Sequence, residues 1–337
     1  MSLQMDRIAV IGAGSWGTTV ASIAARRIDT LLWARRADLA ESINQTRTNP
    51  DYLPDYELPD RLTASNDLEE AVSRTDLLVM AVPSHGFRDV FTEAAQHLKP
   101  NRPVVSLTKG IEQKTLATMT EVVRDVDESI APGVVGVVTG PNLASEIVAG
   151  QPTATVAAMR DSETCRSVQS LLMGPSFRVY TNDDVVGCEL GGALKNVMAI
   201  AAGMSDGLGF GDNTRATLLT RALAELTRLG VAQGGRPETF AGLAGMGDLI
   251  ATCSSDRSRN HRVGVGLARG QTLDEITAEM RMVAEGVKTT KSVLGLAGRA
   301  GVDMPIATHV DLVLEGEMTP REAMLSLMTR EAKAESY

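Results

Sequence analysis

Lys195 and Asn196 interrupt an otherwise apolar run. In "ELGGALKNVMAIAAG", residues 189–203, every position from Leu190 to Gly203 except these two is apolar or glycine. Leu190, Ala193, Leu194, Val197, Met198 and Ala201 recur at helical spacing, so the run predicts a buried helix with an ammonium in its middle. Helical side chains lean over the residues three and four positions earlier, which for Lys195 are Gly192 and Gly191. Each glycine costs a helix about 1 kcal/mol relative to alanine. The pair therefore predicts open space beneath the lysine, which suits a cation reaching into a ligand cavity.

A second group of residues has the spacing of an anion cradle. "RIAVIGAGSWG" places Gly12, Gly14 and Gly17 directly after an apolar run and at the start of a helical pattern. In that context Gly12 allows a tight turn, Gly14 lets a pyrophosphate approach the backbone, and Gly17 lets helix and sheet pack closely. The N–H groups near Ser15 and Trp16 then face the anion. An NAD-selective site usually has an acidic residue about 20 positions further on, but here "LLWARR" supplies Arg35 and Arg36. Two cations there fit a 2′-phosphate, so NADP(H) is expected to bind beside or ahead of NAD(H). The plainer alternative is a solvated pair at the start of a loop.

Further polar groups fall where apolar runs end. Lys109 closes "SLTKG", Gly140 and Asn142 lie in "VVTGPN", and "AVPSHGF" follows another run. Arg257, Arg259, His261 and Arg262 crowd six residues of "SSDRSRNHR", with Ser258 and Asn260 between them. Arginine's planar fork suits phosphate, and Ser258, Arg259 and Asn260 could form a compact clamp or simply a charged surface turn. Asp248, after Gly245 and Gly247, either caps the next helix or accepts hydrogen bonds from substrate hydroxyls or Lys195.

These groups need a frame. Candidate strands at 7–11, 30–33, 76–81, 103–107, 134–138, 153–158 and 177–180 are mostly separated by helical patterns at 15–27, 67–72, 85–97, 115–127 and 162–173. That alternation predicts a doubly wound, mostly parallel Rossmann-type sheet covered on both faces. Residues 49–61, with three prolines, read as an ordered loop. Beyond about residue 183 only helical periodicity remains, at 214–229, 263–268, 286–300 and 319–328. The expectation is a dinucleotide-binding domain over 1–185 and an all-α substrate domain over 186–337, since 337 residues exceed one compact core.

Composition narrows the partners. A net charge of −9 without a long basic run argues against nucleic acid or an anionic membrane, so an anionic ligand must be held by local cations. No run of about 18 uncharged apolar residues marks an integral membrane segment. The three cysteines, Cys165, Cys188 and Cys253, have no metal spacing, so no metal is expected, and they fit a reducing cytoplasm.

In order along the chain, "GAGSWGT", "LWARR", "NPDYLP", "AVPSH", "SLTKGIE", "GPNLASEI", "ELGGALKNVMAIAAG", "GLAGMGDLIATC", "SSDRSRN" and "AEGVKT" resemble the motifs of bacterial NAD(P)-dependent glycerol-3-phosphate dehydrogenases over residues 7–328. The resemblance implies reversible reduction of dihydroxyacetone phosphate to sn-glycerol 3-phosphate for glycerophospholipid synthesis, by a cytoplasmic homodimer. It matches Lys195 to the catalytic lysine, a general acid and base. It matches Lys109, Gly140, Asn142, Asp248, Ser258, Arg259 and Asn260 to substrate contacts. Ser15, Trp16, Arg35, Arg36, Tyr52, Lys109, Ala144, Arg259, Val283 and Glu285 match cofactor-lining positions. Three features depart from the pattern: Asn142 replaces a hydroxyl residue, the turn "ARRIDT" is short, and Gly86 follows His85 where the family often has alanine. The competing readings are a hydroxyacid or 6-phosphogluconate-type dehydrogenase, and a catalytically silent NADP(H)-binding regulator.

Overall fold

The computed structural model describes residues 5–280, 284–332, 334 and 335. Eight strands form one sheet: β1 (Arg7–Ile11), β2 (Asp29–Trp33), β3 (Leu62–Ser65), β4 (Leu77–Met80), β5 (Val104–Ser106), β6 (Val135–Thr139), β7 (Thr153–Met159) and β8 (Phe177–Asn182). Their order is β3-β2-β1-β4-β5-β6-β7-β8. The first six run parallel; β7 turns antiparallel to β6, and β8 follows β7 in parallel. The order reverses between β1 and β4, so a crevice opens there at the carboxyl ends of the strands.

Helices α1 (Ser15–Ala25), α2 (Ala37–Thr46), α3 (Leu68–Ser73), α4 (Ser84–Ala95), α5 (Met119–Val126), α6 (Ala144–Val148) and α7 (Ser162–Leu172) connect the strands. Aliphatic residues of β1, β4 and β5 alternate between two cores, Ile8 and Val10 facing one and Ala9 and Ile11 the other. Burial on both faces is why these strands read as continuous apolar runs. The sequence pattern missed β3 and α2. Strand β3, "LTAS", is too short to carry a period and is defined by its pairing with β2.

After β8 the described residues contain no further strand. The helices are α8 (Val185–Gly207), α9 (Asp212–Ala232), α10 (Pro237–Phe240), α11 (Asp248–Cys253), α12 (Arg259–Ala268), α13 (Leu273–Glu279), α14 (Glu285–Ala300), α15 (Pro305–Leu314) and α16 (Pro320–Met328). Helix α8 starts where Asp184 accepts the Gly187 N–H at 2.9 Å, a side-chain cap for an otherwise unsatisfied donor. It is long and apolar enough to cross a membrane by length and composition, with a mean hydropathy of 1.3, yet 94% of that window lies inside the molecule. It is the axis on which α9, α11, α12, α14 and α15 pack.

Candidate active site

The glycine-rich turn sits at the sheet's reversal point. Gly12 has φ of 123°, and a Cβ there would lie 2.7 Å from the Ala81 carbonyl oxygen beyond β4. Only glycine lets the chain turn this close to the neighbouring strand. At Gly14 a Cβ would meet nothing within 4 Å, so the backbone faces open space. Gly14 precedes α1 and provides no side-chain cap for its first turn. Among the described residues, the buried Trp16 Nε1 has no hydrogen-bond partner. Open backbone, an uncapped helix start and a spare N–H donor together fit the pyrophosphate of a dinucleotide.

The short turn before β2 leaves its register intact: Trp33 pairs with Ile11, and the Gly12 N–H donates to the Trp33 carbonyl at 3.0 Å. Arg35 and Arg36 therefore leave the sheet beside the glycine turn, both exposed. The Arg36 guanidinium is ion-paired with Asp51 and lies 3.6 Å from Asp38. The loop carrying Asp51 and Tyr52 is fastened by Asn49, whose Nδ2 donates to the Ala13 carbonyl (2.9 Å) and Thr18 Oγ1 (2.8 Å).

Lys195 and Lys109 meet on one carboxylate. Asp248 Oδ1 is 3.0 Å from Lys195 Nζ, and Asp248 Oδ2 is 2.6 Å from Lys109 Nζ. Lys109 also donates to the Gly140 carbonyl at 2.8 Å, and Lys195 to Thr252 Oγ1 at 2.5 Å. Two ammonium groups on one buried carboxylate leave a positive charge uncompensated within the cluster. Burial, reinforced by the Lys195 charge and opposed by Asp248, pushes the Lys109 pKa down to about 8. Of the two readings of Asp248, the structure selects the acceptor. Gly247 occupies the cap position of α11, while the Asp248 carboxylate turns to the lysines.

The space predicted beneath Lys195 is filled. A Cβ at Gly191 would lie 2.6 Å from the Ala244 carbonyl oxygen, and one at Gly192 would lie 2.6 Å from Thr139 Oγ1. The glycines serve close packing of α8 against the end of β6 and the π-helical turn Leu243–Gly247. Their effect on the lysine is indirect, since that packing brings Lys109 and Asp248 within reach of it.

The basic run divides as α12 winds. Ser258 caps the helix, its hydroxyl accepting the His261 N–H at 3.3 Å. Arg257 points to Glu146 at 3.4 Å, and His261 Nε2 pairs with Asp206 at 2.9 Å. Arg259 lies within electrostatic reach of Glu285 and Tyr52. Asn260 Nδ2 donates to Asn196 Oδ1 (3.0 Å), its Oδ1 accepts the Gly286 N–H (2.9 Å), and Asn196 Nδ2 donates to the Lys109 carbonyl (3.3 Å). This chain of amides ties α8, α12 and α14 to the Lys109 loop. Glu285 accepts the Ser84 N–H at 3.1 Å, and burial pushes its pKa up to about 6 against Arg259, Lys195 and Lys288.

Comparison with known proteins gives this geometry a family. Residues 7–165 match the NAD-dependent glycerol-3-phosphate dehydrogenase N-terminus and residues 184–325 the corresponding C-terminus. The chain belongs to the NAD-dependent glycerol-3-phosphate dehydrogenase family. It is 54% identical to the glycerol-3-phosphate dehydrogenase [NAD(P)+] 2 of Sphingopyxis alaskensis, with 98% of each chain covered. It is 52% identical to the glycerol-3-phosphate dehydrogenase [NAD(P)+] of Geobacter sulfurreducens, over 98% of this chain and 99% of that one. The crystal structure of glycerol-3-phosphate dehydrogenase from Coxiella burnetii superposes with a TM-score of 0.92 at 37% identity, covering 96% of this chain and 99% of that one.

Other positions expected of a glycerol-3-phosphate dehydrogenase fall as follows. Asn142 Nδ2 donates to Thr155 Oγ1 at 3.0 Å, and Ala144 opens α6. Val283 lies outside the described residues. Among the described residues no three His, Cys, Asp or Glu side chains gather as metal ligands. Sequence reading assigned no role to Thr252 or Asn196. Thr252 stands four residues after Asp248, one helical turn on, and that spacing was the available signal. Asp51 and Asp38, the counterions of Arg36, were also missed.

Proposed function

We propose that this chain catalyses the NAD(P)H-dependent, reversible reduction of dihydroxyacetone phosphate to sn-glycerol 3-phosphate. The observation that carries the proposal is the buried Asp248 carboxylate holding Lys109 and Lys195 together. In this reading Lys195 is the general acid: Asp248 and Thr252 hold its ammonium so that one N–H faces the carbonyl oxygen of the substrate. In the oxidative direction its neutral amine takes the proton back. Lys109, with Gly140, Asn142 and Asp248, lines the reacting end. Ser258, Arg259 and Asn260 hold the phosphate at the start of α12, so remote binding energy positions the carbonyl.

The bound dinucleotide supplies the hydride. Gly12, Gly14, Ser15, Trp16 and Gly17 would cradle its pyrophosphate, Arg35, Arg36 and Tyr52 the adenosine side, and Lys109, Ala144, Arg259, Val283 and Glu285 the rest. Residues 1–185 then supply most of the cofactor site and 186–337 most of the substrate side, with Lys109, Gly140 and Asn142 crossing to the substrate and Arg259, Val283 and Glu285 to the cofactor. We further propose a cytoplasmic homodimer that supplies glycerophospholipid synthesis. Three buried free cysteines support a reducing compartment. Exposed Leu325 and Met328, three residues apart on α16, support a contact surface. The test is oxidation of NADPH and NADH in the presence of dihydroxyacetone phosphate. Turnover supports the assignment, whereas activity only on hydroxyacids or 6-phosphogluconate, or none at all, refutes it.

A further inference from the structure

The cation expected to read the cofactor's 2′-phosphate already has carboxylate partners. Arg36 Nη2 is paired with Asp51 Oδ2, and Arg36 Nε lies 3.6 Å from Asp38 Oδ1. Asp38 belongs to the first turn of α2, where a carboxylate is favoured by the helix dipole. Asp51 lies in the turn Asn49–Tyr52, which is closed by the Tyr52 N–H donating to the Asn49 carbonyl at 3.2 Å. It stands on a loop held in place independently of the ion pair: Asn49 is fully buried, bonded to the glycine-rich turn through Ala13 and to α1 through Thr18, and bridged to Leu53. The loop therefore presents Asp51 to Arg36 at the carboxyl end of β2, beside the dinucleotide turn.

We infer that Asp51 is a specificity-determining residue, a built-in counterion that competes with a 2′-phosphate for Arg36 and holds the enzyme towards dual use of NAD(H) and NADP(H). The inference rests on the reading of Arg35 and Arg36 as the 2′-phosphate contacts. A dianionic phosphate arriving at Arg36 must compete with the Asp51 carboxylate for the guanidinium donors and sit near a like charge, and both effects weaken NADP(H) selectively. A ribose 2′-hydroxyl makes no such demand, because it can donate to the carboxylate while Arg36 stays paired. The arginine pair alone suggests a preference for NADP(H); the aspartate offsets it.

The test is equilibrium binding of NADP+, NAD+ and 2′,5′-ADP to the full chain, followed by calorimetry at fixed ionic strength, for wild type, Asp51→Asn and Arg36→Ala. Asp51→Asn should shift the NAD+ to NADP+ dissociation-constant ratio about threefold to tenfold in favour of NADP+, the size expected for freeing one exposed ion pair and removing one nearby like charge. It should tighten 2′,5′-ADP in parallel. Arg36→Ala should shift the ratio the other way. If Arg36→Ala shifts it but Asp51→Asn does not, the counterion inference fails while the phosphate reading stands. If neither variant moves the ratio, both fail.

Discussion

At the scale of single residues, the site depends on how one carboxylate divides its two oxygens. Lys195→Ala removes the proposed proton donor and should lower kcat by about 100- to 10,000-fold, the usual range for a general acid. NADPH affinity, measured by equilibrium titration, should stay near wild type, because the dinucleotide turn lies on the sheet. Asp248→Asn should fall in the same range, since both ammonium groups lose their counterion. The pH profile reports Lys109 separately. With a pKa pushed down to about 8 by burial, its positive charge is present below that pH and lost as pH rises through it. Thus kcat/KM for the phosphorylated substrate should fall on the alkaline side from about pH 8 in wild type. In Lys109→Arg that limb should move beyond the accessible range, whatever the variant's absolute rate, because arginine stays charged.

At the scale of elements, glycine placement decides which helices can approach the site. Gly191→Ala puts a methyl 2.6 Å from the Ala244 carbonyl oxygen, on the backbone segment leading to Asp248. Alanine is the better helix former by about 1 kcal/mol, but overpacking against backbone costs about 1–3 kcal/mol. The variant should therefore lose stability in urea titration and lose kcat/KM as Asp248 shifts. Gly298→Ala on α14, where a Cβ meets nothing within 4 Å, should instead gain up to about 1 kcal/mol. The same elements show what sequence could tell. The long apolar strands and α8 were legible because burial on all sides leaves a continuous run. The strand β3 was not, because four residues carry no period and pairing with β2 defines it. Lys195, Lys109, Asp248 and the glycine turn stood out by residue type, yet the sharing of the Asp248 carboxylate by both lysines did not. Lys109 and Asp248 are 139 residues apart, and only the packing of α8 brings them together. The glycines one turn before Lys195 predict empty space because sequence shows which side chain is missing, not what fills its place, here the Ala244 carbonyl and Thr139 Oγ1.

At the scale of the whole molecule, buried carboxyl groups join distant elements and make stability depend on pH. Glu189 on α8 accepts the Thr120 N–H at 3.0 Å and the Thr120 hydroxyl at 2.6 Å, linking the helical half to the start of α5. Glu225 on α9 accepts the Ile306 N–H at 2.9 Å at the start of α15. Burial pushes both pKa values up to about 7, from 4.5, against the hydrogen bonds that oppose it. Between those values the folded chain keeps protons that the unfolded chain releases. Each group's stabilisation is therefore complete below about pH 4.5 and lost as pH rises through about 7. Carboxyls with lowered values, such as Glu112 and Asp161, act in the opposite sense and only at more acidic pH. These two groups should then contribute most between pH 5.5 and 7.5, a loss of about 2 kcal/mol each, with Glu285, raised to about 6, adding a smaller loss in the same sense. Glu189→Gln cannot titrate but can still accept one hydrogen bond from Thr120. Unfolding free energies from urea titrations should fall less between pH 5.5 and 7.5 in the variant than in wild type, by about that amount. An equal slope in both proteins would mean that Glu189 stays ionised in the fold and that its link to Thr120 is an ordinary charged contact.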